Sequence, residues 1–160
     1  MAERVGRRLI AAALAVAGFG LIPGLAAGES SGPVVAPPSR SAAPTAEQEY
    51  NRGLRARASR DWPGAVGAFG KAIELRPAFP EAWNELGYAL RHQGRYDESV
   101  RAYDEALKLK PRYPEALEYL GEAYVKMGRL DDARRILERL RPLDRERARE
   151  LAEEIQKAKY

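Results

Sequence analysis

The sequence predicts an all-α protein in which three helix-turn-helix repeats stack side by side and a final helix covers the end of the stack. Three observations predict this fold. The chain repeats itself every 34 residues, with Gly53, Gly87 and Gly121 in register, and periods of roughly 20 to 50 residues are typical of repeat architectures. Apolar residues recur at helical spacing within each copy. Glycine or proline stands where most of these helices should end.

Further positions of similar character coincide when the chain is shifted by 34 residues. The aligned sets are Trp62, Tyr96 and Leu130; Ala65, Ser99 and Ala133; Phe69, Tyr103 and Leu137; Ala72, Ala106 and Leu140; and Pro77 with Pro111. One helical pair cannot bury both of its apolar stripes, so about three stacked repeats are the usual minimum for stability. We therefore expect repeats at residues 46–79, 80–113 and 114–143.

The second copy carries the two helical stripes in full. Its first helix has an apolar stripe formed by Trp83, Leu86, Gly87 and Leu90. Its second helix has a stripe formed by Tyr96, Val100, Tyr103, Ala106 and Leu107. Gly94 between them tolerates left-handed backbone, which ends many helices, and Pro111 closes the second element. The pattern predicts two antiparallel helices joined by a tight turn.

The glycines in the middle of the first helices need a compensation, because glycine there costs roughly 1 kcal/mol relative to alanine. We expect it to come from close approach of the paired helix. That helix offers a small residue, Ser99 or Ala133, and the ring of Tyr103 needs a slot to fill.

The end of the chain, residues 144–160, predicts a capping helix. Its apolar residues form one narrow stripe, made of Ala148, Leu151, Ala152, Ile155 and Ala158. The rest of this helix is charged, which suits an element that covers the last repeat and faces water on its other side.

The signature positions of the second copy resemble the tetratricopeptide repeat family. They are Trp83, Leu86, Gly87, Leu90, Gly94, Tyr96, Ser99, Tyr103, Ala106 and Pro111. The resemblance extends from residue 46 to about residue 143 and implies a right-handed superhelical stack. The third copy departs from the pattern at Pro142, three residues early, so its second helix should be shorter. In the first copy Arg60 replaces the turn glycine, and Glu49, Arg52 and Ala56 replace apolar residues.

The resemblance also implies a concave groove, lined by the first helix of each repeat, that holds an extended peptide or a partner's helix. The candidate binding residues are Tyr50, Asn51, Leu54, Asn84, Glu85, Tyr88, Glu118, Tyr119 and Glu122. The wider set of groove positions adds Glu47, Arg57, Glu81, Arg91, His92, Glu115 and Lys126. Tyrosine and asparagine side chains suit such recognition, because they combine contact area or paired hydrogen bonds with polar groups.

One subtype of the family grips a carboxyl terminus with lysine, arginine and asparagine at fixed groove positions. This chain has none of them there, since the corresponding residues are Tyr50, Leu54, Glu85, Glu115 and Tyr119. Four acidic groove residues, Glu85, Glu115, Glu118 and Glu122, would repel a carboxylate and attract positive charge. Each glutamate taken singly is better explained as part of a solvated helix face. The cluster of glutamates interleaved with tyrosines nevertheless predicts a protein or peptide partner with a basic or neutral binding segment.

The composition argues against catalysis, cofactors, metals and nucleic acid. His92 is the only histidine and there is no cysteine, so neither a multi-histidine nor a thiolate metal site can form. No glycine-rich phosphate loop or nucleophile turn is present. Four arginines and two glutamates precede residue 46, which leaves 23 basic and 21 acidic residues in the repeats and capping helix. Nucleic-acid binders concentrate positive charge instead.

The first 45 residues predict a targeting segment and a linker. A basic start with Arg4, Arg7 and Arg8, an apolar run and small residues near Ala27 describe a secretory signal over residues 1–28. The alternative is a membrane anchor formed by residues 9–25, slightly short of the roughly 20 residues that span a bilayer. Residues 29–45 are rich in proline, serine and alanine and predict an extended tether or a spacer. We expect export, most simply to a bacterial periplasm, or attachment to the inner membrane.

Two functions remain open. The first is an exported adaptor that binds a partner in the groove and has no enzymatic activity. The second is a structural assembly element of a cell-envelope complex, acting through the convex or end surfaces of the stack.

Overall fold

The computed structural model describes residues 43–158, which form seven helices and no strand. The helices are α1 (Ala46–Ala58), α2 (Trp62–Leu75), α3 (Pro80–His92), α4 (Tyr96–Leu109), α5 (Pro114–Lys126), α6 (Leu130–Leu140) and α7 (Arg145–Lys157). Each helix packs against the next one, and α7 packs against both α5 and α6. The predicted all-α stack of three helical pairs and a final helix is confirmed. The predicted signal segment and linker residues 29–42 lie outside the described residues.

Side-chain caps and prolines set the starts of several helices. At α1, the Gln48 amide donates to the Thr45 hydroxyl at 3.2 Å, while the Thr45 amide donates to the Gln48 side chain at 2.8 Å. This reciprocal capping box satisfies two amides that have no partner inside the helix. Asp61 caps α2 by accepting from the Gly64 amide at 3.0 Å. Pro80 and Pro114 occupy the first positions of α3 and α5, where proline loses no hydrogen bond.

The turn inside each repeat contains one residue with left-handed backbone. Gly94 and Gly128 take φ values of 74° and 71°, as expected where a helix ends in glycine. Arg60 holds the equivalent position in the first repeat with φ of 59°. A side chain is disfavoured there, because its Cβ crowds the backbone. The first repeat therefore makes the same turn with a strained residue.

Glycine slots bring the paired helices together in the first two repeats. A Cβ added to Gly53 would lie 2.5 Å from the Phe69 ring, and one added to Gly87 would lie 2.7 Å from the Tyr103 ring. The buried Ser99 hydroxyl donates to the Gly87 carbonyl at 2.8 Å. The predicted compensation for Gly87 is therefore present, as a ring that fills the space a side chain would take.

The third repeat fills its slot differently. Gly121 faces Leu151 of α7 and not a side chain of its paired helix α6. The ring position of this repeat holds Leu137, a shorter side chain than Phe69 or Tyr103, so the slot stays available to the capping helix. Leu151 is 1% exposed, which makes it the main anchor of α7.

The largest core cluster is formed by residues of helices α4 to α7, and two smaller clusters are formed by residues of α1, α2 and α3. Its fully buried large side chains are Tyr103, Leu117, Leu120, Leu140 and Leu151. Helix α6 has 11 residues, whereas α2 and α4 have 14. The predicted shortening of the third repeat is confirmed, and α7 covers the core that the missing turn leaves open.

Candidate functional site

Three tyrosines that the sequence assigned to the groove are half-buried on the first helices. The rings of Tyr88 and Tyr119 lie 5.2 Å apart between centroids and join α3 to α5. Tyr50 of α1 instead packs on Phe69 and Phe79, at 5.7 and 4.9 Å. We call the surface of α1, α3 and α5 that carries these three tyrosines the first-helix face.

Ion pairs join successive helices along the first-helix face. Arg57 of α1 donates to both carboxylate oxygens of Glu85 on α3, at 2.8 and 2.7 Å. Arg91 of α3 approaches Glu122 of α5 to 2.5 Å. Glu118 of α5 pairs with Arg147 of α7. The pairs run in order along the stack, so the predicted groove residues of different repeats do share one face.

These pairs neutralise three of the four acidic residues on which the expected attraction to basic partners rests. The side chains of Glu85 and Glu118 are only 8% and 5% exposed. Burial raises the pKa of Glu85 above its ordinary value, and the neighbouring Arg57 only partly opposes this change. Burial likewise raises the pKa of Glu118 to about 6 against the opposing effect of Arg147. These carboxylates are therefore parts of the structure more than free charges.

Glu115 is the remaining acidic residue of that group. Equivalent first-turn glutamates have basic neighbours, with Glu47 at 2.5 Å from Arg76 and Glu81 at 3.7 Å from Lys110. The position that Arg76 and Lys110 occupy in the first two repeats holds Asp144 in the third, and the Asp144 side chain caps α7 by accepting from two backbone amides. Glu115 therefore has no basic neighbour at this position. Within residues 43–158, half-buried Glu115 makes no ion pair or side-chain hydrogen bond.

The tyrosines of the first-helix face respond to this negative charge. Burial, followed by the charge of Glu115, raises the pKa of Tyr119 to about 12. Burial, followed by the charge of Glu85, raises the pKa of Tyr50 to about 12 as well. Both phenols therefore stay protonated at neutral pH and can donate hydrogen bonds.

The other predicted groove residues differ in exposure. Asn51 is exposed and Leu54 is half-buried, so both are accessible on α1. Asn84 is fully buried, and neither its amide nitrogen nor its amide oxygen has a partner within the described part of the chain. Asn84 therefore contributes to the interior beneath the face and not to its surface.

A cluster around His92 was not expected from the sequence. The His92 ring stacks on Trp62 with ring centroids 4.3 Å apart and an angle of 13° between the ring planes, and its centroid lies 4.5 Å from that of Tyr88. The Arg57 guanidinium lies 4.3 Å above the same tyrosine. The sequence indicated that His92 is a surface residue, and it is exposed. Its stacking partner Trp62 starts α2 of the first repeat, whereas His92 ends α3 of the second. The sequence signal for this contact was only that both residues stand at helix ends.

Between residues 43 and 158, no set of three or more histidine, cysteine, aspartate or glutamate side chains is arranged to hold a metal ion. None of the seven helices combines the length and apolar character needed to cross a bilayer.

Two family models described as tetratricopeptide repeat match the chain, one over residues 50–114 and the other over residues 90–155. An uncharacterized protein of Methanocaldococcus jannaschii is 41% identical over 54 residues, which is 34% of this chain and 63% of that protein. The match thus spans less than two thirds of that relative's length.

Solved structures share the fold. The TPR2B domain of yeast Sti1 in complex with an Hsp70 peptide superposes with a TM-score of 0.67 and 24% identity, covering 71% of this chain and 95% of that one. The second TPR domain of human RPAP3, in complex with the HSP70 peptide SGPTIEEVD, superposes with a TM-score of 0.66 and 21% identity, covering 72% of this chain and 95% of that one. MamA superposes with a TM-score of 0.60 and 25% identity, covering 66% of this chain and 57% of that one.

Proposed function

Because the chain belongs to the tetratricopeptide repeat family, we propose that it is a scaffold that binds a protein or peptide partner on its first-helix face and has no chemistry of its own. Several domains of the same fold are described in complex with peptides. The observation that carries the proposal is the half-buried Tyr88 and Tyr119 pair, held between inter-helix ion pairs. Fixed aromatic rings with polar tips bind a partner at little conformational cost.

The partner segment is basic or neutral, and Glu115 is the reason. It is half-buried beside Tyr119 and makes no ion pair among the described residues, because Arg147 acts on it only at longer range, so a lysine or arginine of a partner would pair with it directly. A charge-assisted hydrogen bond of this kind is stronger than one between neutral groups. Glu85, Glu118 and Glu122 contribute less, because their arginine partners already compensate them.

A positional-scanning peptide library tests this proposal on the full chain. Wild type should enrich lysine or arginine, and Glu115→Gln should lose that preference while keeping the fold. Glu138→Gln is the matched control, because Glu138 is exposed on the second helix α6. An unchanged preference for lysine or arginine in Glu115→Gln, or enrichment of acidic peptides that Tyr119→Ala removes, would contradict the basic or neutral assignment. Tyr119→Ala should weaken the lysine- and arginine-containing peptides, and equal binding of these peptides would remove the first-helix face from the proposal.

Export is part of the proposed function. The basic start, apolar run and small-residue exit of residues 1–28 support a secretory signal, and the linker would then hold the repeats away from the membrane or the cleavage site. N-terminal sequencing of the protein recovered from its host decides between cleavage near Ala27 and retention of residues 9–25 as an anchor.

A second candidate function is assembly of a larger complex through another surface. Leu75 and Leu109, at equivalent positions near the ends of α2 and α4, are 45% and 43% exposed. Such side chains favour contact between proteins when they lie along one edge. Sedimentation of wild type and of the Leu75→Ser plus Leu109→Ser variant tests this. A concentration-independent monomer would rule out self-assembly through that edge.

A further inference from the structure

A cavity lies at the C-terminal end of α1, where the turn to α2 meets α3. Its volume is about 390 Å³. The lining residues are Leu54, Arg57, Ala58, Arg60, Trp62 and Tyr88. None of them is acidic, whereas Glu115, on which the basic preference rests, is not part of this lining. The cavity therefore has its own chemistry.

Aromatic and aliphatic groups form the apolar part of the cavity. Trp62 is half-buried, and its ring centroid lies 6.1 Å from that of Tyr88. The His92 ring stacks against the Trp62 indole. Leu54 adds an aliphatic side chain. Ring systems that are fixed by stacking leave little entropy to lose when another ring joins them.

The rim of the cavity is positively charged. Arg57 is already held by Glu85, and nearby Arg91 is held by Glu122. Arg60 is exposed and its guanidinium has no ion pair or hydrogen bond within residues 43–158. One cation thus remains without a counter-ion beside the rings.

The backbone also singles out Arg60. The equivalent turns of the other two repeats use glycine with the same left-handed φ, so the fold does not require a side chain there. Residues held in sparsely populated backbone conformations concentrate at binding sites, where surrounding structure maintains them. At this turn the strained conformation presents the one unpaired arginine at the mouth of an aromatic cavity.

We propose that this cavity binds a partner segment in which an acidic side chain stands next to an aromatic one, with the carboxylate on Arg60 and the ring against Trp62. Arginine suits a carboxylate because its planar fork donates two parallel hydrogen bonds. The site shares Tyr88 with the first-helix face, but it does not rest on that proposal, since it selects the opposite charge through Arg60 and Trp62. A single partner could still occupy both.

His92 is a built-in reporter for this site because the chain has no other histidine. Partial burial, followed by the charges of Arg91, Arg57 and Arg60, lowers its pKa below 6.5. Tyr88 is the other ring that contacts it, and Glu85 is paired with Arg57. A bound carboxylate would offset the positive charges, so the imidazole pKa should rise.

The experiment follows the imidazole and indole NMR signals of the full chain with three peptides: Ac-Gly-Glu-Phe-Gly-NH₂, its glutamine analogue and its lysine analogue. The glutamate peptide should shift the His92 and Trp62 signals and raise the His92 pKa. The lysine analogue should leave the Trp62 signal and the His92 pKa unchanged, whether or not it binds near Glu115. Trp83 is the internal control, because its indole N–H already donates to the Pro77 carbonyl at 2.9 Å.

Variants locate the effect. Arg60→Gly should weaken binding of the glutamate peptide roughly tenfold, the loss expected for one exposed charge-assisted hydrogen bond. The variant should fold, because the equivalent turns of the other two repeats contain glycine. Trp62→Leu, the residue found at equivalent position 130, should remove the aromatic preference. Arg55→Gln, an exposed change on α1, is the control.

Three results would overturn the proposal. They are equal binding of the glutamine peptide, unchanged affinity in Arg60→Gly, and a sulfate-induced shift as large as that of the peptide, which would reduce the site to a general anion contact.

Discussion

The first and third repeats solve the same packing problem with different parts. In the first, the Phe69 ring of the paired helix covers Gly53, whereas in the third, Leu151 of the capping helix covers Gly121. The turns differ as well, because Arg60 is strained where Gly128 is relaxed. The comparison teaches that the repeat specifies a backbone geometry with a slot in it, and that whichever apolar side chain reaches the slot can fill it.

The strongest test of this comparison is removal of the side chain that α7 contributes. Leu151→Ala should lower the free energy of unfolding by about 2–5 kcal/mol, the usual cost of truncating a fully buried leucine. Denaturation of the full chain by urea measures the change. Leu109→Ala is the control, since Leu109 is 43% exposed and should cost little. A loss below about 1 kcal/mol in Leu151→Ala would mean that α7 does not close the third slot.

A double-mutant cycle tests the contact itself. Gly121→Ala alone should destabilise by about 1–3 kcal/mol, because its Cβ would overlap Leu151 and overpacking outweighs the gain in helix propensity. In the Leu151→Ala background the same change should be neutral or stabilising, since the overlap is gone. Coupling of roughly 1 kcal/mol or more is expected for residues in contact. Simple additivity of the two changes would argue against the contact.

The fold was predictable because its signals are local and repeated. The 34-residue period, the glycines in register and Pro142 led to the seven helices and the shorter α6. The partner of Gly121 was not predictable, because Leu151 lies 30 residues further along and its approach depends on how α7 docks. A periodic pattern fixes which residues are interior but not which of them meet.

The candidate site was predictable only as a set of positions. The sequence placed Glu85, Glu118 and Glu122 together, but it could not pair them with Arg57, Arg147 and Arg91, which lie 28 to 31 residues away. Those pairs decide which carboxylates remain free. Asn84 was assigned to the groove from its register, yet it is buried. Whether these residues bind a partner stays a prediction.

The turn comparison makes a smaller prediction. Arg60→Gly should raise the free energy of unfolding by roughly 1 kcal/mol, because it relieves the left-handed strain that a side chain experiences. Gly94→Arg should have the opposite effect, since it installs that strain in the second repeat. Thermal unfolding of both variants checks the pair. Destabilisation by Arg60→Gly would show that the Arg60 side chain contributes more to the folded state than its backbone strain costs.

The smallest effect concerns the ion pair between α5 and α7. Burial holds the pKa of Glu118 near 6, above its ordinary 4.5, so the folded protein binds this proton more tightly than the unfolded chain does. The contribution of Glu118 is therefore fully present below pH 4.5 and is lost as pH rises through about 6. Glu118→Gln should gain stability relative to wild type between pH 5 and pH 7.5, by less than about 1 kcal/mol after allowance for solvent screening.

The exposed pair of Arg95 and Glu98 supplies the contrast. Arg95 donates hydrogen bonds to the Glu98 carboxylate and lowers the pKa of Glu98. The ionised form of Glu98 therefore favours folding, and this contribution is lost as pH falls. Glu98→Gln should therefore lose stability relative to wild type as pH rises toward about 5, because Glu98 titrates below its ordinary pKa of 4.5. Urea midpoints at about pH 3 and pH 5 for Glu98→Gln, and at about pH 5 and pH 7.5 for Glu118→Gln, give the two signs. If both variants shifted in the same direction, burial would not be the factor that separates the pair closing the stack from the pair on its surface.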